Sequence, residues 1–261
     1  MQIKIKCPAK INLTLKVGKL RPDGFHPIES AMQAISLFDY LTITLMPKGI
    51  TLSGDSLEIP YDETNLAYKA AKLFCEAVGT MQGVAIDIQK NIPICAGLAG
   101  GSADAAGVLY GLNKLNNEPL STPELLELCQ KLGSDLNFCL TGAKQLATGR
   151  GELLEEMPYG YFDLVLVLPK NLKISAREAY CRFDELSEIS TMPNDLEFAL
   201  LPHYKELQTL HALGLQMSGS GPAYFIKEKN LPLSLRHILG ENFKIFEGLK
   251  TVNHGVIETF D

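Results

Sequence analysis

A glycine-rich segment at residues 93–104 constrains the fold more than any other feature of the sequence. It reads Pro-Ile-Cys-Ala-Gly-Leu-Ala-Gly-Gly-Ser-Ala-Asp. Alternating apolar residues at 84–88 predict a strand before it, and an apolar stripe over residues 105–115 predicts a helix after it. Its glycines permit positive φ and a close backbone approach, and the helix start offers unpaired N–H groups. The segment therefore predicts a phosphate cradle.

The spacing of these glycines matches neither a Walker A loop nor the dinucleotide-binding fingerprint. Taken alone, the segment also fits an alternative in which small residues merely let a helix pack closely against a strand. Motifs elsewhere in the chain are needed to choose between the two interpretations.

Strand and helix patterns alternate through the first half of the chain. Residues 3–5, 13–17 and 41–45 show the period of half-buried strands, and residues 66–77 carry the apolar stripe of a helix. Another helix is predicted over 124–132, with Thr122 as its N-cap, Pro123 at its first position and Gly133 just past its end. This pattern places Ser134 and Asp135 directly beyond a helix.

The second half predicts a smaller α+β unit. A turn at residues 157–160 precedes an apolar strand at 164–168, and helices near 195–201 and 203–213 precede a strand at 223–226. We expect two domains, comprising residues 1–158 and 159–261.

Charge and hydropathy exclude several classes of protein. The 24 basic and 30 acidic residues give a net charge of −6, which lacks the footprint of a nucleic-acid or anionic-membrane binder. No apolar run approaches the roughly 20 residues that span a bilayer, and the N-terminus lacks the apolar stretch of a signal peptide. We expect a cytoplasmic protein that contacts neither nucleic acid nor membrane. Its six cysteines show no paired spacing, which predicts buried free thiols.

Three motifs together resemble those of the GHMP kinases. They are residues 8–13 (Pro-Ala-Lys-Ile-Asn-Leu) with 21–26 (Arg-Pro-Asp-Gly-Phe-His), the glycine-rich segment, and residues 217–222 (Met-Ser-Gly-Ser-Gly-Pro). They occur in family order and cover the whole chain. The first motif resembles in particular that of the 4-diphosphocytidyl-2-C-methyl-D-erythritol kinases.

The resemblance implies an α+β GHMP kinase fold. Its N-terminal domain would be similar to the second domain of ribosomal protein S5, its C-terminal domain ferredoxin-like, and its active site between them. It also implies ATP-dependent, Mg²⁺-assisted phosphorylation of the 2-hydroxyl of 4-diphosphocytidyl-2-C-methyl-D-erythritol in the non-mevalonate pathway of isoprenoid precursor synthesis. No metal ligands are evident, and Ala103 stands where some superfamily members carry a metal-binding serine.

The resemblance assigns the catalytic pair to Lys10 and Asp135. Asp135 would take the proton of the attacking hydroxyl, and Lys10 would keep that carboxylate ionised and stabilise charge on the transferring phosphoryl group. Without the resemblance, Asp135 reads more readily as a helix-exit carboxylate. Its surroundings depart from the family pattern, because Leu136 and Asn137 replace the usual Val and Pro. We expect loss of the proline to loosen this loop.

The remaining site residues are also implied by the resemblance. Those expected to contact ATP are Pro93, Ala96, Gly97, Leu98, Ala99, Gly100, Gly101, Ser102, Ala103 and Asn65. Those expected to contact the cytidyl substrate are Asn12, Phe25, His26, Tyr180, Ser218 and Gly219. Asn65 fits an N-cap for the helix starting at Leu66 equally well.

The family holds its cytosine between aromatic rings and hydrogen-bonds it through a histidine. Phe25 replaces the commoner Tyr but keeps the π face that stacking needs, Tyr180 would be the second ring, and His26 would hydrogen-bond the base. Without the resemblance, a Phe-His pair more often belongs to a packed turn. Asn12, two positions beyond Lys10 on a strand, would contact the substrate or orient the lysine.

Three alternatives stay open. Another GHMP kinase, acting on mevalonate, phosphomevalonate or homoserine, would share the glycine-rich motifs, but residues 21–26 argue against it. A non-catalytic sensor with this fold would not need both Lys10 and Asp135. A structural or RNA-binding protein with an S5-like fold would carry a basic surface, which the net charge of −6 opposes.

Overall fold

The computed structural model describes residues 1–188 and 190–260. Its strands are β1 (Gln2–Asn12), β2 (Lys16–Val17), β3 (Ile28–Met46), β4 (Ile50–Gly54), β5 (Gly83–Gln89), β6 (Lys144–Thr148), β7 (Leu153–Glu156), β8 (Asp163–Pro169), β9 (Gln216–Met217), β10 (Tyr224–Ile226), β11 (Phe243–Lys250) and β12 (Ile257–Thr259). Its helices are α1 (Leu66–Val78), α2 (Gly100–Leu115), α3 (Thr122–Leu132), α4 (Leu136–Thr141), α5 (Ala176–Asp184), α6 (Asp195–Leu200), α7 (Lys205–Ala212) and α8 (Leu233–Leu239). Short 3₁₀ turns lie at Leu201–His203 and Gly240–Asn242.

The long strand β3 organises the first sheet, whose order is β12-β1-β3-β5-β4. The first half of β3 also pairs with β2 and β6, and its second half pairs with β5. The two halves of this strand therefore have different neighbours in the sheet. The register between β1 and β3 shifts between Pro8 and Ala9, because Pro8 has no N–H to donate to the ladder. This irregularity immediately precedes Lys10.

Helices α1 to α4 pack on the first sheet and bury its largest apolar core. The predicted helices at 66–77, 105–115 and 124–132 are all present. The predicted N-cap at Thr122 is wrong by one residue. Ser121 caps α3 instead, because its N–H and its hydroxyl both donate to the Glu124 carboxylate in a capping box.

The second sheet has the order β11-β8-β10-β9 and packs with α5 to α8 around its own apolar core. A further apolar cluster, which includes Ile11, Ile35 and Leu166, joins the two sheets. Both sheets are mainly antiparallel with helices packed against them, which confirms the predicted α+β class. All strands of the first sheet except β12 precede residue 158, and all strands of the second sheet follow it. Because β12 comes from the C-terminal part and pairs with β1, the domain division stays a prediction.

Two other predictions concern the surface and the thiols. Within residues 1–188 and 190–260, no helix has both the length and the apolar character needed to cross a bilayer. All six cysteines are free, as predicted, and Cys7, Cys129 and Cys139 are buried. Burial is wrong for Cys95 and Cys181, which are exposed because they lie on the wall of a cleft, while Cys75 is half-buried.

Candidate active site

A cleft of about 1050 Å³ contains most of the predicted site residues. Those on its walls are Lys10, Asn12, Phe25, His26, Asn65, Pro93, Ala96, Gly97, Leu98, Ala99, Gly100, Gly101, Ser102, Asp135, Tyr180 and Gly219. Ala103 and Ser218 do not line it. Ala103 lies in the apolar core beneath α2, which leaves its side chain no surface for ATP, and Ser218 is also completely buried.

The glycine-rich segment joins β5 to α2, and positive φ occurs at Cys95, Gly97 and Ala99. The expectation of positive φ at Gly100 and Gly101 is wrong, because both lie in the first turn of α2. Gly100 is required for space instead: a Cβ there would lie 2.8 Å from Lys90 Nζ. No side chain caps the start of α2, so its first amides can bind an anion.

The third motif, residues 217–222, packs against the glycine-rich segment. A Cβ at Gly97 would lie 2.2 Å from the carbonyl oxygen of Ser218, so the two backbones approach as closely as glycine permits. The Ser218 hydroxyl donates to the Gly97 carbonyl at 3.1 Å and accepts from the Asn12 N–H at 3.2 Å. Ser218 thus ties the first and second motifs together, and a direct contact with substrate stays a prediction.

Lys10 and Asp135 meet at the base of the cleft, where Lys10 Nζ lies 3.7 Å from Asp135 Oδ2. The ammonium also donates to Asn12 Oδ1 at 2.7 Å and to the Gly97 carbonyl at 3.0 Å. Asp135 occupies the N-cap position of α4 without forming a side-chain cap, so its carboxylate remains available to the cleft. Its side chain is 33% exposed, against 5% for Lys10, so a ligand can reach the carboxylate.

Asn12 has the orienting geometry that the sequence allowed. Besides holding Lys10, it donates from Nδ2 to the Ser30 hydroxyl at 2.7 Å, and Ser30 in turn donates to the Thr14 carbonyl. This chain of hydrogen bonds fixes the amide, and through it the ammonium.

Asn137 compensates for the missing proline after Asp135. Its side-chain amide donates to the Glu152 carbonyl at 2.9 Å, and the residue is buried. The expected loosening of this loop stays a prediction, and a tertiary hydrogen bond restrains the residue whose φ a proline would fix.

The far end of the cleft carries aromatic side chains. Tyr180 stacks on His26 with ring centroids 5.3 Å apart, and Phe183 meets His26 edge-on. His26 donates from Nδ1 to the Gly18 carbonyl at 2.8 Å, which leaves Nε2, 3.4 Å from Asp184, towards the cleft side. Phe25 is 47% exposed. Its exposed face is available for stacking, while a base held between Phe25 and Tyr180 stays a prediction.

Asn65 is the N-cap of α1, which is the alternative to an ATP contact that the sequence allowed. Its Oδ1 accepts from the Ala67 N–H at 2.9 Å, and its Nδ2 donates to the Pro60 carbonyl. A contact with adenine stays a prediction.

A buried charge cluster beneath the glycine-rich segment was missed. The Lys90 ammonium pairs with Asp39 and lies 3.1 Å from Asp104, and Asp39 also accepts from the N–H groups of Asn91 and Ile92. Burial raises the pKa of Asp104 to about 8. The cluster joins β3, the residues between β5 and the segment, and α2. The signal for this cluster in the sequence is that Asp39, Lys90 and Asp104 each stand within or beside an apolar segment.

Arg150 was also missed. Its guanidinium carbon lies 4.9 Å from the centre of the Phe25 ring, and the residue lines the cleft. The signal available in the sequence was a basic residue between two glycines, Gly149 and Gly151, which is typical of an exposed turn.

The donor set for a metal ion is sparse. In the part of the chain that the structure describes, no cluster of three or more His, Cys, Asp or Glu side chains can hold one. Mg²⁺ commonly takes most of its ligands from substrate phosphates and water, and Ser102 provides a hydroxyl on the cleft wall. The residues present therefore fit an ion that would be held mainly by a bound nucleotide.

Comparison with known proteins agrees with this arrangement. Residues 65–143 match the model of the GHMP kinases N terminal domain. A 4-diphosphocytidyl-2-C-methyl-D-erythritol kinase from Synechococcus sp. (strain JA-2-3B'a(2-13)) is 41% identical, with 83% of this chain and 82% of that protein covered.

Solved structures give the same result. A crystal structure of 4-(cytidine 5'-diphospho)-2C-methyl-D-erythritol kinase is 30% identical with a TM-score of 0.79, covering 97% of this chain and 100% of that chain. Homoserine kinase from Cytophaga hutchinsonii, at 17% identity and a TM-score of 0.73 over 99% and 97% of the two chains, shares the fold. This chain is therefore a member of the 4-diphosphocytidyl-2-C-methyl-D-erythritol kinase family of GHMP kinases.

Proposed function

We propose that this chain transfers the γ-phosphoryl group of ATP to the 2-hydroxyl of 4-diphosphocytidyl-2-C-methyl-D-erythritol. The observation that carries the proposal is the Lys10–Asp135 pair, which lies 3.7 Å apart in the same cleft as the glycine-rich segment. Membership of the family supports the choice of substrate. An alcohol acceptor requires a base and a positioned phosphoryl donor, and this cleft provides candidates for both.

Asp135 acts as the base in this proposal. Its partly exposed carboxylate accepts the proton of the substrate hydroxyl as the oxygen attacks the γ-phosphorus. Lys10, held by Asn12 and Gly97, keeps its ammonium beside both the carboxylate and the transferring group. Because that ammonium is already oriented, it stabilises developing charge without a cost of reorganisation.

The glycine-rich segment holds the phosphates. The uncapped amides at the start of α2 and the close-packed backbone around Gly97 suit anionic oxygens. Mg²⁺ bound with the nucleotide would neutralise charge on its phosphate oxygens, with Ser102 as the hydroxyl that would hold it. The protein itself contributes position, amide donors and the two charged side chains.

The aromatic end of the cleft holds the base of the acceptor. Phe25 presents a ring face, and His26 and Tyr180 form a stacked pair beside it. A cytidine bound there would direct the remainder of the substrate towards Asp135.

The test is ADP release from purified protein with Mg-ATP and each of three alcohols. We expect turnover with 4-diphosphocytidyl-2-C-methyl-D-erythritol and none with mevalonate or homoserine, and phosphorus NMR should place the new phosphate on the 2-hydroxyl. Turnover of another alcohol alone would refute the substrate. ATP binding without turnover of any of them would indicate a sensor.

A further inference from the structure

We infer that Arg150 binds the diphosphate group of the cytidyl substrate and so selects for nucleoside diphosphates over nucleosides. The inference rests on the proposed function, because it takes the base to lie near Phe25 and the reacting alcohol near Asp135. Arg150 belongs to none of the three motifs. Its role follows from where the structure places the turn that carries it.

The Arg150 turn is tied to both ends of the cleft. On one side, the Ile28 N–H donates to the Gly149 carbonyl at 2.8 Å, two residues beyond His26. On the other, Asn137, two residues beyond Asp135, donates to the Glu152 carbonyl at 2.9 Å. A substrate that spans from the base end to the catalytic end must therefore pass this turn.

Close packing reinforces the second tie. Gly151 has a φ of +118°, and a Cβ at that position would lie 3.4 Å from Ser134 Cβ. The turn therefore lies against the residue that precedes Asp135. This contact places the backbone of the Arg150 turn beside the start of the loop that carries Asp135.

Glu152 and Phe25 are neighbours of the Arg150 side chain. Glu152 accepts from the backbone N–H of Arg150 at 2.6 Å, and its other carboxylate oxygen lies 3.6 Å from Arg150 Nε. The planar group lies 4.9 Å from the Phe25 ring centre, and about a third of the side chain is exposed. A guanidinium oriented in this way, with its terminal nitrogens able to form paired hydrogen bonds, is suited to phosphate.

The charges around the cleft leave few other partners for a diphosphate. Lys10 is buried and committed to Asn12, Gly97 and Asp135, and Lys90 is held between the carboxyl groups of Asp39 and Asp104. Arg177 also lines the cleft, but it lies on α5 and not on the turn that is hydrogen-bonded towards both ends of the cleft. Since Asp135 and Asp184 also face the cleft, a diphosphate would be repelled without a cation between them.

A competing explanation is that Arg150 only supports the Phe25 ring through a cation–π contact. The two explanations differ in which ligand they affect. Loss of a phosphate contact weakens cytidine 5'-diphosphate and spares cytidine, whereas loss of ring support weakens both.

The experiment measures binding of cytidine 5'-diphosphate and cytidine, without ATP, by calorimetry or competition. For Arg150→Gln we expect affinity for the diphosphate to fall about 10- to 100-fold, as for loss of a charge-assisted contact, while cytidine affinity changes less than about twofold. Arg150→Lys should retain part of the affinity for the diphosphate, because the lysine ammonium keeps the positive charge but lacks the paired N–H donors of the guanidinium. Phe25→Ala should weaken both ligands alike.

Arg182→Gln is the matched control, because Arg182 pairs with Glu185 on the surface of α5 and should leave both affinities unchanged. Equal loss of both ligands in Arg150→Gln, or no loss of either, would overturn the inference. These binding measurements are independent of turnover. An Arg150-dependent preference for the diphosphate in a protein that does not phosphorylate the methylerythritol substrate would refute the proposed function and leave the diphosphate site standing.

Discussion

Lys10 Nζ lies 3.7 Å from Asp135 Oδ2, with the lysine almost fully buried and the carboxylate a third exposed. The buried ammonium is fixed by its hydrogen bonds to Asn12 and Gly97, whereas the exposed carboxylate can be reached by a ligand.

We expect Asp135→Asn to lower kcat by about 10²- to 10⁴-fold with little change in ATP affinity, since it removes the base but little volume. Single-turnover kinetics and nucleotide binding would measure the two quantities. Asp87→Asn, at an exposed position on β5 that accepts from Ser53, is the control. Near-normal turnover by Asp135→Asn would show that Asp135 is not the base.

Asn12→Ala should lower kcat and destabilise the fold by about 1–3 kcal/mol, because the buried Lys10 ammonium loses its closest acceptor. Ser30→Ala is the comparison. It breaks the same chain of hydrogen bonds one step further from Lys10. Urea unfolding and kcat together give the test: a loss of stability in Asn12→Ala with unchanged kcat would show that Asn12 supports the fold and does not orient the lysine.

Gly97→Ala should reduce kcat/KM for ATP on the order of 100-fold, since a Cβ would lie 2.2 Å from the Ser218 carbonyl at a φ of +73° and displace the phosphate segment. Gly101→Ala has open space around its Cβ and should unfold at the wild-type temperature. Unaltered ATP kinetics in the Gly97 variant would mean that the segment does not position the nucleotide.

The stability of the protein should depend on the Asp104 proton. Burial raises the pKa of Asp104 to about 8, so the folded protein keeps a proton that the unfolded chain, with a carboxyl pKa of about 4, releases. This carboxyl therefore lowers stability progressively from about pH 4 to about pH 8, with no further change above that.

Asp104→Asn removes this titration. The free energy of unfolding of wild type, measured relative to that of the variant, should be lower at about pH 8.5 than at about pH 5.5. A difference between wild type and variant that is constant across this range would show that Asp104 is ionised in the folded protein throughout.

The local patterns of the sequence predicted most of the elements around the site. The apolar stripes of α1, α2 and α3 and the glycine-rich segment depend on neighbours in sequence, and they are where the patterns put them. Capping is equally local, but Ser121 and Thr122 are both good caps, and only the reach of Glu124 decides between them.

Features that depend on distant residues could not be predicted in this way. The Lys90 cluster gathers charges from β3, the residue after β5, and α2. Arg150 meets Phe25 because β3 and the 148–151 turn are hydrogen-bonded. The replacement of a proline by Asn137 was visible in the sequence. The hydrogen bond from Asn137 to the Glu152 carbonyl was not visible, because it joins residues that only the tertiary structure brings together.

The pairing of β12 with β1 has a consequence for dissecting the molecule. A fragment that ends at residue 158 would lack the strand that covers one edge of β1, and the N–H and C=O groups of residues 4–6 that face β12 would lose their partners. That bare edge would be a template for pairing between molecules. We expect the isolated front half to self-associate, and a co-expressed back half carrying residues 257–259 to restore a discrete particle.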